Sequence, residues 1–155
     1  MIDFKYKPDG ETLKEFMKDS NFFRGIRGPV GSGKSVGCCV EVFRRALEQK
    51  PNKDKVRRSR WAFIRNTNPQ LRTTTIKTWL DWFPEDDWGN FHWSVPYTHH
   101  IKKGDVDLEV LFLALDRPED VKKLLSLELT GVWVNEAREI PKSIIDACTM
   151  RACRS

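Results

Sequence analysis

The sequence predicts an α/β nucleotide-binding fold: a mainly parallel sheet with flanking helices and one antiparallel hairpin. Three observations lead there. Gly28-Pro29-Val30-Gly31-Ser32-Gly33-Lys34-Ser35 fits G-x-x-x-x-G-K-[ST], the phosphate-binding P-loop. Its flanks are right for that loop, because the short apolar run Phe22-Phe23-Arg24-Gly25-Ile26-Arg27 precedes it and Val36, Val40, Phe43 and Leu47 recur at helical spacing after it. Farther along, short apolar runs alternate with polar turns and amphipathic stretches, as βα repeats do.

The loop carries the first chemistry. Phosphates are held by backbone N–H groups that point inward, and side chains at Gly28, Gly31 and Gly33 would obstruct them. Pro29, Val30 and Ser32 complete the cradle. Lys34 reaches the β and γ oxygens, and Ser35, in the first turn of the following helix, offers its hydroxyl to Mg²⁺. The helix N-terminus adds N–H donors and a dipole that favours the anion. ATP and Mg²⁺ are the expected cofactors.

With 155 residues the chain is the size of one domain, so residues 1–155 are read as a single unit. No apolar run has the length of a bilayer span, and Met1-Ile2-Asp3-Phe4-Lys5 lacks the apolar segment of a signal peptide, so a soluble, cytoplasmic protein without membrane contact is expected. The cysteines Cys38, Cys39, Cys148 and Cys153 form no C-x-x-C pair and read as reduced thiols. The tandem His99-His100 has no third ligand in sequence reach, which argues against a metal site there.

Charge is unevenly spread. Residues 51–72 hold seven of the 27 Lys and Arg against one acid, Asp54, and are +6, while the net charge of the whole chain is +5. Two readings of this segment stay open. Arg57, Arg58 and Arg60 are candidates for contact with a nucleic-acid backbone, or the segment is a solvated basic connector.

In chain order, Leu13, Phe16 and Met17 mark one face of a short lead-in helix. After the P-loop helix, residues 51–55 are a polar connection, and Trp61-Ala62-Phe63-Ile64-Arg65 is a buried strand. Asn66-Thr67-Asn68-Pro69 breaks it, and Ile76, Trp79, Leu80 and Phe83 give the apolar face of a helix ended near Pro84. The aromatic-rich residues 84–100 either cover the sheet or offer faces for stacking on nucleobases. Residues 98–102 and 107–114 flank Lys103-Gly104-Asp105 as a hairpin. A helix starts around Pro118 and ends near Ser126, a buried strand follows at Gly131-Val132-Trp133-Val134, and another helix begins at Pro141.

Hydrolysis needs a group that places water and another that supports the metal. The strand tip supplies both candidates. Its four mainly apolar residues followed by Asn135-Glu136 have a Walker B pattern, which makes Glu136 the candidate catalytic carboxylate and Asn135 the candidate metal-side ligand. Asn135 is neutral where that pattern normally has Asp, so metal affinity is expected to be lower. An arginine to meet charge on the γ-phosphate is also wanted. Arg27, beside Gly28, is the candidate in cis, and Arg117, Lys122 and Lys123 are candidates toward a neighbouring subunit.

Four blocks resemble the ATPase domain of the large terminase subunit, the DNA-packaging motor of tailed bacteriophages. They are residues 28–35, Phe63 to Leu71 continuing to Trp82-Phe83-Pro84, Leu111 to Asp116, and Ser126 to Glu139. The resemblance implies an additional-strand, catalytic-glutamate P-loop NTPase, working as a homo-oligomeric ring on double-stranded DNA in a bacterial host cell, with a portal and a small terminase subunit as partners. Lys34, Ser35 and Glu136 would take the phosphate, metal and catalytic roles. The family continues into a coupling motif and a nuclease domain. Met150 to Ser155 do not look like that continuation, so an incomplete ATPase domain without nuclease activity is expected.

Other assignments fit the P-loop alone. An ABC-type ATPase needs a Leu-Ser-Gly-Gly-Gln-like signature, which residues 115–130 do not contain, and a nucleotide kinase needs an acceptor-phosphate site but not Glu136. A nucleotide- or DNA-binding module with weak catalysis is the non-enzymatic alternative.

Overall fold

The structure, a computed structural model, describes residues 34–135 and 140–152. The expected lead-in helix, the strand at 22–27, Arg27, the loop from Gly28 to Gly33, and Glu136 lie outside the described residues.

Helix α1 (Lys34–Glu48) follows the P-loop sequence at once, as expected. Cys39, Val42, Phe43 and Ala46 recur on one side and are buried there. The same helix buries a carboxylate, Glu41, at 3% exposure. Arg44 donates to it through Nε at 2.7 Å, and Arg45 lies at 3.8 Å, so the charge is paired rather than stranded.

The five strands are β1 (Arg57–Arg65), β2 (Phe91–His92), β3 (Tyr97–Lys103), β4 (Val106–Ala114) and β5 (Gly131–Val134), in the spatial order β2-β3-β4-β1-β5. Here the expectation of a mainly parallel sheet with an antiparallel hairpin is corrected. β1 pairs in parallel with β4 on one side and β5 on the other, whereas β3 runs antiparallel to β4 and β2 antiparallel to β3. The sheet is therefore mixed. The reason is that the hairpin is built into it: Gly104 takes φ 59° in the turn, and the returning strand β4 completes the parallel set against β1. β1 also starts four residues earlier than its apolar run suggests, because Arg57 to Arg60 continue the ladder beside Val106 to Glu109.

Helices cover both faces. On one, Phe63, Leu108, Val110 and Phe112 meet α1 and the aromatic residues Trp79 and Phe83. On the other, Ala62, Ile64 and Leu111 meet Leu115, Leu124, Ile140, Ile144 and Ala147, from helices α5 (Val121–Leu125) and α6 (Lys142–Ala152) and their connections. This is a three-layer α/β arrangement.

The helix whose apolar face holds Ile76, Trp79, Leu80 and Phe83 is not uniform. It runs as α2 (Asn68–Gln70), a π-helical segment (Leu71–Ile76) and α3 (Lys77–Trp82). Thr67 caps it, its side chain accepting from the Gln70 N–H at 3.4 Å, and Pro69 occupies the first turn. An i→i+5 turn aligns residues 71 and 76, so Leu71, Thr75 and Ile76 all face inward. Phe83 and Pro84 end the run, and a short helix α4 (Glu85–Trp88) leads to β2. Within residues 84–100 the aromatic side chains divide: Phe91 and Tyr97 are buried and Trp88 packs edge-on to Phe43 and Phe83, while Trp93 is 53% exposed.

Among the described residues, Gly131 is the glycine that packing requires. A Cβ there would lie 2.4 Å from the Trp61 ring, which crosses over it from the neighbouring strand. No helix among the described residues is long and apolar enough to cross a membrane. Cys38 and Cys39 are buried thiols, and burial pushes the Cys39 thiol well above its usual range, which makes it inert.

Candidate functional site

Parallel strands bring their carboxyl ends to one edge, and in open α/β sheets ligands bind just outside that edge. Here β1, β4 and β5 share it. The register sets Arg65 beside Ala114 and Ile64 beside Val134, so Asn135 emerges next to the end of β1. Its N–H donates to the Ile64 carbonyl at 2.9 Å, extending the ladder one step past β5.

Asn135 is 7% exposed. Its side-chain Nδ2 donates to Thr75 Oγ1 at 2.9 Å, and Thr75 is 1% exposed. The carbonyl oxygen Oδ1 and the second amide N–H have no partner among the described residues. A hard oxygen suits Mg²⁺, which binds few protein oxygens and keeps several waters. Ser35, in the first turn of α1 and half-buried, carries the other expected oxygen. Among the described residues no group of three His, Cys, Asp or Glu could hold a metal by itself. Lys34 opens α1; its side chain lies outside the described residues, as do Gly28 to Gly33 and Glu136.

A second feature occupies the same edge. The segments after β1 and β4 enclose an open cleft of about 330 Å³ lined by Asn66, Thr67, Pro69, Asp116, Arg117 and Lys123, with Asp120 at its side. Asp120 is the organiser, since its Oδ2 accepts from the N–H groups of Asp116 and Arg117, each at 3.2 Å, and its Oδ1 lies 3.4 Å from Lys123. Arg117 and Lys123, considered above as charges toward a neighbour, thus sit on the β4 side of the edge, and Lys122 is exposed beside them.

The basic segment lies at the other end of the sheet. Arg58 stands seven residues before Arg65, the carboxyl end of β1, roughly 23 Å away at about 3.3 Å per residue. There each arginine faces an acid of the β4 side: Arg57 Nε lies 2.9 Å from Asp105, Arg58 Nε 3.6 Å from Asp107, and Arg60 Nε 3.2 Å from Glu109. Along the sequence the segment is strongly basic, but across the strands these three arginines each face an acid. His100 pairs with the same Asp107.

Sequence reasoning placed Asn135 at a strand tip but missed Thr75. A signal was there: Thr75 stands four residues after Leu71 and four before Trp79, on the apolar face of the run, where a hydroxyl needs a partner. The cleft was also missed, although Asn66 to Pro69 read plainly as the break after β1. At His99, Nδ1 accepts from Trp79 and Nε2 faces the Gly89 carbonyl.

Comparison with known proteins gives one line of support. No family model matches the chain, and no curated protein matches its sequence. In fold it is similar to a solved large terminase from a thermophilic bacteriophage, with a TM-score of 0.65 at 13% identity over 81% of this chain. The chain spans 29% of that protein's length. What is shared is the architecture: the described residues have a terminase-like α/β fold.

Proposed function

We propose that this chain is the Mg²⁺-dependent ATPase motor domain of a terminase-like DNA-packaging machine. The observation that carries the reading is the carboxyl edge of the parallel strands, where Asn135 is fixed directly before Glu136 in sequence. The P-loop sequence running straight into α1, and the likeness of the fold to a large terminase, support it. In this reading Gly28 to Gly33 cradle the phosphates of ATP, Lys34 neutralises the β and γ oxygens, and Ser35 with Asn135 Oδ1 supports the Mg²⁺ shell. The metal, when bound, neutralises charge on the phosphates. Glu136 orients and polarises the attacking water, and Arg27 meets the charge on the γ-phosphate. Double-stranded DNA is the track, and a homo-oligomeric ring with a portal and a small terminase subunit is the assembly.

The test is turnover. Lys34→Ala abolishes ATP hydrolysis, and Glu136→Gln binds ATP while losing most of its turnover; normal rates in either variant sink the assignment. One observation favours a second reading. Asn135 spends its amide nitrogen on Thr75 and brings no negative charge to the edge, as a nucleotide- or DNA-binding module with little catalysis would tolerate. Binding of ATP and Mg²⁺ without phosphate release, with DNA and partner subunits present, selects that module.

A further inference from the structure

The chain leaves β1 and β4 in opposite directions. These strands are parallel neighbours, and the Leu115 N–H continues their ladder one step, donating to the Arg65 carbonyl at 3.0 Å. Beyond that point residues 68–83 carry Leu71, Ile76 and Trp79 to the face that α1 covers, whereas Leu115 and Leu124 belong to the cluster on the opposite face. The crevice between two such diverging connections is a topological switch point, where open α/β sheets bind ligands. The cleft of about 330 Å³ lies there, between residues 66–69 and 114–123, at the small end of the range for ligand sites. Asn135 follows β5 on the other side of β1, about 10 Å from β4 at two strand spacings, and does not line the cleft.

The lining holds two acids and two bases, and they are used unequally. Asp120 is turned into its loop, where the carboxylate accepts from two backbone N–H groups and lies 3.4 Å from Lys123. Asp116 and Arg117 are exposed, and neither forms an ion pair among the described residues. On the β1 side, Asn66 has an enclosed amide oxygen without a partner, and turning that amide over leaves an N–H there instead. Hydrogen-bonding capacity remains in either setting.

We propose that this cleft is a second nucleotide site, one that takes a ribonucleoside monophosphate. Asp116 accepts from the ribose hydroxyls, Arg117 and Lys123 meet the phosphate, and the amides of Asn66 and Asn68 offer donors and acceptors to the edge of the base. Two cations face the phosphate and one of them is shared with Asp120, which matches one phosphate group better than three. The mixed charge selects against other ligands. A bare anion leaves the Asp116 carboxylate without a donor, and a nucleic-acid strand brings a negative phosphate at every nucleotide against two acids. The inference goes beyond the ATPase reading, because the P-loop lysine acts on β and γ oxygens that a monophosphate lacks.

The experiment titrates AMP, GMP, CMP and UMP separately into the full chain and follows backbone amide signals by NMR. With at least one of them the signals of Asn66, Thr67, Asp116 and Arg117 should shift, and they should shift equally in Lys34→Ala, which removes the P-loop lysine. Arg117→Gln and Asp116→Asn should each weaken that nucleotide about 10-fold, the worth of one charged hydrogen bond. Arg117→Ala serves if the glutamine protein does not fold. The sugar gives the most specific readout: the parent should prefer the ribonucleotide to its 2′-deoxy form, and Asp116→Asn should lose that preference. No shift of the cleft residues with any of the four overturns the proposal, as do shifts confined to residues 28–35. Inorganic phosphate that shifts the cleft as strongly at the same concentration makes it a bare anion site, and a short DNA duplex that shifts it at lower concentration makes it a nucleic-acid contact; either result overturns the nucleotide assignment. Loss of ATP turnover in Lys34→Ala tests the other site and leaves this outcome unchanged.

Discussion

Thr75 and Trp79, one helical turn apart, each reach a buried polar side chain of the sheet, and the two pairs are completed in opposite ways. Trp79 Nε1 donates to His99 Nδ1 at 2.8 Å, so the ring proton sits on Nε2 and is donated to the Gly89 carbonyl, also at 2.8 Å. Every polar atom of that pair has a partner. The Thr75–Asn135 pair uses the amide nitrogen and leaves Oδ1 without a partner among the described residues. The first pair lies in the antiparallel half, inside a cluster of aromatic rings; the second lies at the carboxyl edge of the parallel half. A saturated buried pair specifies a fold, whereas an unsaturated one at a sheet edge is equipped to meet something else.

The sharpest way to break this contrast is at Trp79. Its indole stacks on Phe83 with centroids 4.2 Å apart and meets Phe63 edge-on at 5.3 Å, and it is fully buried. Trp79→Ala should cost about 3–5 kcal/mol in urea unfolding through the cavity it leaves. Trp79→Phe keeps most of the packing but leaves His99 Nδ1 without its donor, so about 1–3 kcal/mol is expected. If Trp79→Ala cost no more than a surface change, the antiparallel half would not be the stabilising half.

A smaller effect is expected at the other side of the sheet. Gly131→Ala places a methyl against Trp61, whose ring must move, and should cost about 1–3 kcal/mol. Because Asn135 directly follows β5, the same change should also weaken hydrogen-exchange protection of the Asn135 N–H, which pairs with Ile64. A stable variant with intact protection would show that the strand tip is not set by this close approach.

These contrasts follow what was and was not legible in the sequence. β5 was readable to the residue, because Gly131 to Val134 is a short apolar run between polar neighbours, and the hairpin was readable from Gly104 between two alternating strands. Pairing was not. Nothing in Asp107 and Glu109 announces that they will stand opposite Arg58 and Arg60, since partners across a sheet are chosen by topology rather than by spacing along the chain. The mixed sheet was hidden for the same reason: a hairpin laid on a sheet and a hairpin inserted into one have the same local pattern. The π turn was invisible too, because Leu71, Thr75, Ile76 and Trp79 also fit an ordinary helical stripe. At the site, a residue type at a strand tip could be read from motif, but the partner that its side chain meets lies 60 positions away.

The smallest predicted effect is the most specific to the closed pair. Burial holds the His99 imidazole below its ordinary value of 6.5, outweighing the Gly89 carbonyl and Glu85, which act in the opposite direction, while nearby His100 lowers it further. With Trp79 already donating to Nδ1, a second proton has no acceptor to face. The unfolded chain takes that proton more readily than the folded one, so stability should be full above about pH 6.5 and should fall as pH drops from there toward the folded-state value. One proton gives a slope of at most about 1.4 kcal/mol per pH unit. In Trp79→Phe no N–H points at Nδ1, protonation meets less opposition, and the acid limb should be shallower. Every other titrating group is common to the two proteins, so the difference between their urea midpoints across this range isolates His99. Equal slopes would show that the indole does not hold the imidazole neutral, and the closed pair would be a packing contact only.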